Sequence, residues 1–210
     1  MAVEATLSLL GVAYDVTDEP ALASPLRDAS PLRDQRAAGV NPLHQVPALV
    51  LPDGEILTES AAILIWLADR YPQERLAPAP LERGRAAFLR WMAFVSSQIY
   101  ALYWVRDDPA RLAADEAHKT VILERTAERI SHCWRVMDAQ IASGTYLLGE
   151  ELSVLDLYVA VISRWGPRRR SFYAAAPRMA EVVRRVDADP RLAALFAARF
   201  PFVEGWEGEA

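Results

Sequence analysis

The chain has 210 residues, of which 52% are hydrophobic and 24% charged, with a formal net charge of −5. That composition excludes a disordered chain and is long enough to bury the core of one large or two small domains. The acidic balance excludes a general nucleic-acid binder, and the one cysteine, Cys133, excludes an intrachain disulfide framework. No apolar run approaches the ~20 residues that span a bilayer, and no basic region precedes an apolar run at the N-terminus. The expectation is a soluble, cytoplasmic protein without a signal peptide, partnered by neither nucleic acid nor membrane.

Val3, Leu7 and Leu10 have helical spacing, and Gly11 stands where such a helix would end. Residues 12–16 are a short β-prone run. Residues 17–41 are rich in polar and turn residues and carry SPLRD twice, at 24–28 and 30–34, which reads as a local duplication lengthening a surface loop. Next comes QVPALVLPDGEILTES at 45–60. Residues 46–51 and 55–57 read as two strands joined by Asp53-Gly54, a strong hairpin signal. A helix opens at Thr58 or Glu59 with Ala62, Ile63, Trp66 and Leu67 in period, and Tyr71-Pro72 stops it near Arg70.

The proline-rich run LAPAP at 76–80 marks the boundary, giving a first domain at 1–74, a linker at 75–81 and a second domain at 82–210. Strand signals vanish beyond it. Residues 82–106 read as one long helix. Residues 112–141 hold another, with Leu123, Ala127, Ile130, Trp134, Met137 and Ile141 as its core stripe. Residues 152–165, 177–186 and 190–200 supply three more. The fold class is therefore mixed α/β followed by an all-α helical bundle.

Two features of 45–60 carry chemistry. A Val46–Pro47 junction at a strand mouth is either a trans proline that blunts a sheet edge or a cis proline that turns the chain. In the cis case the backbone of Val46 would face outward and pair with an extended, peptide-like ligand. Glu59-Ser60 at a helix mouth offers a carboxylate for an ammonium, and a hydroxyl and helix N–H groups for a carboxylate. That set suits an amino-acid head. Ordinary capping by Thr58 is the alternative, and these residues alone leave both choices open.

The order of these parts resembles the cytosolic glutathione transferases of bacterial type, most specifically in NPLHQVPALVLPDGEILTESAAILIWLADRYP at 41–72 and LLGEELSVLDLYVA at 147–160. The resemblance spans essentially the whole chain. It implies a thioredoxin-like first domain, a helical second domain, and conjugation of glutathione, as co-substrate, to a hydrophobic electrophile in a homodimer without metal. It implies that Pro47 is cis and that Val46 pairs with the cysteinyl unit. Glu59 and Ser60 would hold the γ-glutamyl amine and carboxylate, with Gln45 as a further polar contact. His44 is the adjacent candidate, with mere exposure as its alternative. Ser153 and Asp156, flanked by Leu152 and Leu157, fit a capping box with a hydrophobic staple and a folding role. The second substrate would sit against Tyr100, Tyr103, Trp104, Arg106 and Trp165, with Phe200, Phe202 and Trp206 as further candidates and bundle core as the alternative for each.

One part is missing from the pattern. The family begins with a strand whose end carries a Tyr, Ser or Cys that activates the thiol, whereas this chain begins at Met1 inside what reads as the first helix. The expectation is a sheet truncated at its first strand, with the catalytic residue upstream of Met1; Thr6 and Ser8 fall inside the helix. Two other readings remain: a glutathione-dependent reductase, peroxidase, isomerase or dehalogenase, and a non-catalytic binding protein. Elsewhere the arginines at 168–170 read as a solvated loop and Cys133 as a packed thiol. The histidines and cysteine are scattered without metal-ligand spacing.

Overall fold

The first helix, α1 (Ala2–Leu9), buries Ala2, Val3, Ala5, Thr6 and Leu7. Gly11, at φ +64°, ends it. The Gly11 N–H donates to the Ser8 carbonyl and the Val12 N–H to the Leu7 carbonyl, both at 3.1 Å, the paired bonds of a left-handed helix terminus. The computed structural model describes residues 1–17, 40–43, 45–141, 144–165 and 169–202. The duplicated SPLRD, His44 and Trp206 lie outside the described residues.

The β-prone run at 12–16 forms no strand. Its first N–H closes α1, and no described strand faces it to complete a ladder. The hairpin does form, but shorter than its apolar run suggests. Strands β1 (Leu49–Val50) and β2 (Ile56–Leu57) pair antiparallel, with Leu49 opposite Leu57 and Val50 opposite Ile56. The turn has its own chemistry: Asp53 Oδ1 accepts the Glu55 N–H at 3.0 Å, and Gly54 takes φ +89°.

Helix α2 (Ser60–Arg70) buries Ile63, Leu64, Leu67 and Ala68. The buried face is rotated from the expected one: Ala62 is exposed and Trp66 half-buried. Pro72 stops α2 as expected. The chain then crosses to the helical half, where the Leu76 carbonyl accepts the Val154 N–H at 2.8 Å.

The single long helix expected over 82–106 is a compound one. It begins at Arg85, because Glu82 is held in a turn by accepting the Ala79 N–H and Gly84 takes φ +100°. Helix α3 (Arg85–Phe94) passes into a π-helical segment (Val95–Tyr100) and then α4 (Ala101–Asp107). Ser97 Oγ donates to the Ala93 carbonyl at 2.8 Å, a back-bond that competes with the helix ladder. The π segment ends on Tyr100.

Helix α5 (Glu116–Gln140) is capped by Asp115, whose carboxylate accepts the His118 N–H at 2.9 Å. Its expected stripe is buried only from Ile130 onward. Leu123 is exposed, because the N-terminal half of the helix extends beyond the core. Cys133 is buried.

All nine residues of α6 (Val154–Ile162) are buried. An apolar helix without a polar face sits in the centre, and here α1, α2 and α3 pack on it together with α8 (Pro177–Asp187). The helix α9 (Ala193–Arg199) closes the described chain. The solvated loop expected at the arginine run is not found at Arg169. Arg169 is fully buried and paired with Asp187, and it opens a helix the periodicity did not reveal, α7 (Arg170–Ala175). A buried guanidinium is tolerable only with such a partner.

Candidate functional site

The site is built where the hairpin entry meets the helical half. The Val46–Pro47 peptide is cis, and Val46 is exposed. Asn41 braces the approach: its Nδ2 donates to the Gln45 carbonyl at 2.9 Å and its Oδ1 accepts the Leu43 N–H at 3.0 Å. The Gln45 side chain is exposed.

At the head of α2 no side chain caps the helix, so Thr58 does not play that part. The N-cap position is Glu59, at φ +66° and ψ +106°. A non-glycine residue there costs about 1–3 kcal/mol, which the surrounding structure must offset. The Glu59 residue is exposed, whereas Ser60 is buried. Ser60 Oγ donates to the Tyr158 hydroxyl at 3.1 Å.

Tyr158 comes from α6 and was not singled out by sequence reasoning. A signal existed: besides Asp156, it is the one polar tip in the apolar run VLDLYVAVI. Its hydroxyl also bonds Ser96 of the π segment. Burial pushes the Tyr158 phenol above its ordinary value, and the Ser60 bond acts the other way.

Tyr100, from the end of the π segment, completes the ring. Its hydroxyl donates to the Val46 carbonyl at 3.4 Å. Its ring stands edge-on to Trp165 at 4.6 Å and to Tyr158 at 6.3 Å. Tyr103 meets the same Trp165 at 5.6 Å. Burial pushes both Tyr100 and Tyr103 up to about 12, with the charges of Tyr158 and Glu59 adding to the rise at Tyr100. Both phenols are therefore neutral hydrogen-bond donors across physiological pH.

Tyr100, Tyr103 and Trp165 thus form one aromatic cluster, with Tyr100 against Val46 and Tyr103 buried in the core. Trp104 and Arg106 are turned to other partners. The Trp104 indole is exposed and stacks under Arg111 at 4.7 Å, and Arg106 donates to the Leu123 carbonyl at 3.2 Å. Phe200 and Phe202 gather around Arg164, whose guanidinium lies 3.4 and 4.3 Å from their ring centres.

The second motif is structural. Asp156 Oδ2 accepts the Ser153 N–H at 2.8 Å and the Ser153 hydroxyl at 2.6 Å, while Oδ1 accepts the Leu147 N–H at 2.8 Å. Leu152 and Leu157 are both buried beside it. Burial pushes the Asp156 carboxyl up, and these donors pull it back. Among the described residues no group of three or more His, Cys, Asp or Glu stands ready to hold a metal, and no helix is long and apolar enough to cross a membrane.

Comparison with known proteins places this geometry in a family. The model of the glutathione S-transferase N-terminal domain matches residues 2–70. The GST-like protein YncG of Escherichia coli K12 is 33% identical over 156 residues, 73% of each chain. Among solved structures, the beta-class glutathione S-transferase of Sphingomonas chungbukensis superposes with a TM-score of 0.74 at 25% identity, over 94% of this chain and 92% of that one. A sphingomonad glutathione S-transferase complexed with glutathione gives 0.71 at 27%, with the same coverage. The fold is thioredoxin-like in its first half, with a small two-stranded sheet among the described residues, and a helical bundle in its second. The chain belongs to the glutathione S-transferase family.

Proposed function

We propose that the protein is a glutathione transferase that joins the glutathione sulfur to a hydrophobic electrophile. The observation that carries this reading is the convergence of Val46 and the Glu59-Ser60 helix mouth on Tyr100 and Tyr158 of the helical half. The Tyr100–Val46 and Ser60–Tyr158 bonds and the Tyr100 ring contacts support a reading with backbone, anion and ammonium subsites beside these aromatics.

In the reading, the extended tripeptide lies along Val46 with its cysteinyl unit paired to that backbone. Its γ-glutamyl carboxylate meets Ser60 and the uncapped N–H groups of α2, where the helix dipole favours an anion. Its ammonium meets the exposed Glu59, and Gln45 adds a contact at the rim, with His44 as the adjacent candidate. The electrophile lies against Tyr100, Tyr103 and Trp165, in an apolar, aromatic setting suited to it; Trp104 and Arg106, engaged with Arg111 and the Leu123 carbonyl, stand apart from it. Domains at 1–74 and 82–210 with a linker at 75–81, a homodimeric assembly, the absence of a metal cofactor and a cytoplasmic location complete the reading.

Isothermal titration of glutathione, followed by turnover of an activated aryl chloride, tests it. Saturable binding with turnover is expected. Binding without turnover would turn the reading into a non-catalytic glutathione carrier, and turnover only of a disulfide, peroxide or double-bond isomer would move it to those glutathione-dependent reactions. Absence of binding would sink it.

A further inference from the structure

We propose that Tyr100 donates its hydroxyl hydrogen to the sulfur of bound glutathione and so supplies the thiolate stabilisation that the reaction needs. The inference rests on the glutathione reading above and assigns it a catalytic residue from the helical half.

A free thiol has pKa ≈ 8.5, so only a few per cent is thiolate near neutrality, and the thiolate is the nucleophile. A hydrogen bond donated to the charged form lowers that pKa. The donor must stand where the cysteinyl unit lies, beside Val46.

Among the described residues, three hydroxyls of the first half, those of Thr6, Ser8 and Ser60, are poorly placed or already committed. Thr6 is fully buried and donates to the Ala2 carbonyl at 2.9 Å. Ser8 is exposed on α1, the side of the chain that follows the buried face into solvent. Ser60 donates to Tyr158. Among the described residues, Tyr100 brings its hydroxyl onto Val46 itself.

Its present bond is weak and exchangeable. At 3.4 Å it is well beyond the 2.5–3.0 Å usual for O–H···O, while catalytic bonds in unliganded enzymes are often long. The Val46 carbonyl is the acceptor that an extended ligand's N–H takes in strand-like pairing. Ligand binding therefore claims that carbonyl and releases the phenol at the cysteinyl subsite. Trp165 at 4.6 Å and Tyr158 at 6.3 Å keep the ring in place during the exchange. The phenol, held up to about 12 by burial, stays protonated and able to donate throughout the working pH range.

The balance is simple. The thiol proton leaves to solvent, and Tyr100 keeps its own proton and shares it with the sulfur. The sulfur lone pair forms the new carbon–sulfur bond, and the leaving group departs with the electron pair of the bond it breaks.

The test titrates the thiolate absorbance of bound glutathione against pH in the full chain and in Tyr100→Phe, with binding measured calorimetrically for both. Phenylalanine keeps the ring that Trp165 and Tyr158 pack on, and circular dichroism checks the fold. In the unaltered protein the bound thiol should titrate about one to two units below 8.5, the shift of a charge-assisted hydrogen bond. In Tyr100→Phe it should return toward 8.5, with affinity within about twofold and kcat/KM near neutrality lower by about ten- to a hundredfold. A bound thiol titrating equally in both proteins, or at 8.5 in the unaltered one, overturns the role of Tyr100 and leaves the binding reading standing. No binding by the unaltered protein overturns both.

Discussion

Two helix starts in this protein, those of α2 and α6, are built from nearly the same kinds of residue and do opposite things. At α6 a serine and an aspartate close the helix on itself. Asp156 accepts three donors, Leu152 and Leu157 cover it, and no polar group is left for a ligand. At α2 an acidic residue and a serine hold the helix open. Glu59 faces outward at φ +66°, no side chain caps the N–H groups, and Ser60 reaches across to Tyr158. The first arrangement is a folding device. The second holds a non-glycine residue at positive φ, and the proposed binding role gives that strain a use.

The comparison breaks first at Asp156. Asp156→Ala removes the acceptor of two buried backbone N–H groups and should destabilise the protein by about 3 kcal/mol or more, read by urea unfolding. A loss under about 1 kcal/mol would mean that the closed start is no anchor.

Glu59 should behave in the reverse way. Glu59→Gln should lower glutathione affinity about tenfold or more while shifting stability by less than about 0.5 kcal/mol, since the side chain is exposed. Glu59→Gly should lose the same affinity yet gain about 1 kcal/mol of stability, because glycine adopts the positive φ without strain. Calorimetry and thermal unfolding read both. A glycine variant that is less stable than the glutamine one would remove the idea of strain kept for binding.

Ser60→Ala tests the link between the halves. It deletes one bond to Tyr158, worth about 1 kcal/mol, and should weaken glutathione binding about three- to tenfold. A large stability loss with unchanged affinity would make Ser60 a structural residue like Ser153.

The turn that leads into α9 lies between these extremes and carries the smallest effect. Before α9, Asp189 accepts the Arg191 N–H and side chain, and those hydrogen bonds hold its carboxyl below the ordinary value. A lowered carboxyl contributes stability above its ordinary pKa and loses it as pH falls through the lowered value. Asp189→Asn should therefore reduce stability at neutral pH by under about 1 kcal/mol and flatten the loss below pH ~4, seen in unfolding at stepped pH. An acid limb identical to that of the unaltered protein would show that the pair does not matter.

Local chemistry was legible wherever neighbours in sequence decide. Gly11 ends α1, Asp53-Gly54 turns the hairpin, Pro72 stops α2, and Ser153 with Asp156 opens α6, each through contacts a few residues long. The residues that mark the family, at 41–72 and 147–160, were legible for the same reason: they are local runs that build a helix mouth and a cap. The hairpin, by contrast, came out shorter than its apolar run, and residues 12–16 gave no strand, because ladders depend on a partner and not on propensity alone.

The meetings of distant residues are the work of packing. Tyr158 is not singled out in the sequence, yet its hydroxyl joins Ser60, 98 positions away. Tyr100 reads as one aromatic among several, yet the π turn beneath it delivers its hydroxyl to Val46, 54 positions away, while Trp104 and Arg106 on the same helix turn elsewhere. Arg169 sits in a run of three arginines that reads as solvated, and Asp187 draws it inside. Sequence fixes which groups can cap, turn or charge a site, because those acts are local. Packing decides which of them face one another, because burial forces each polar tip to find its partner across the fold.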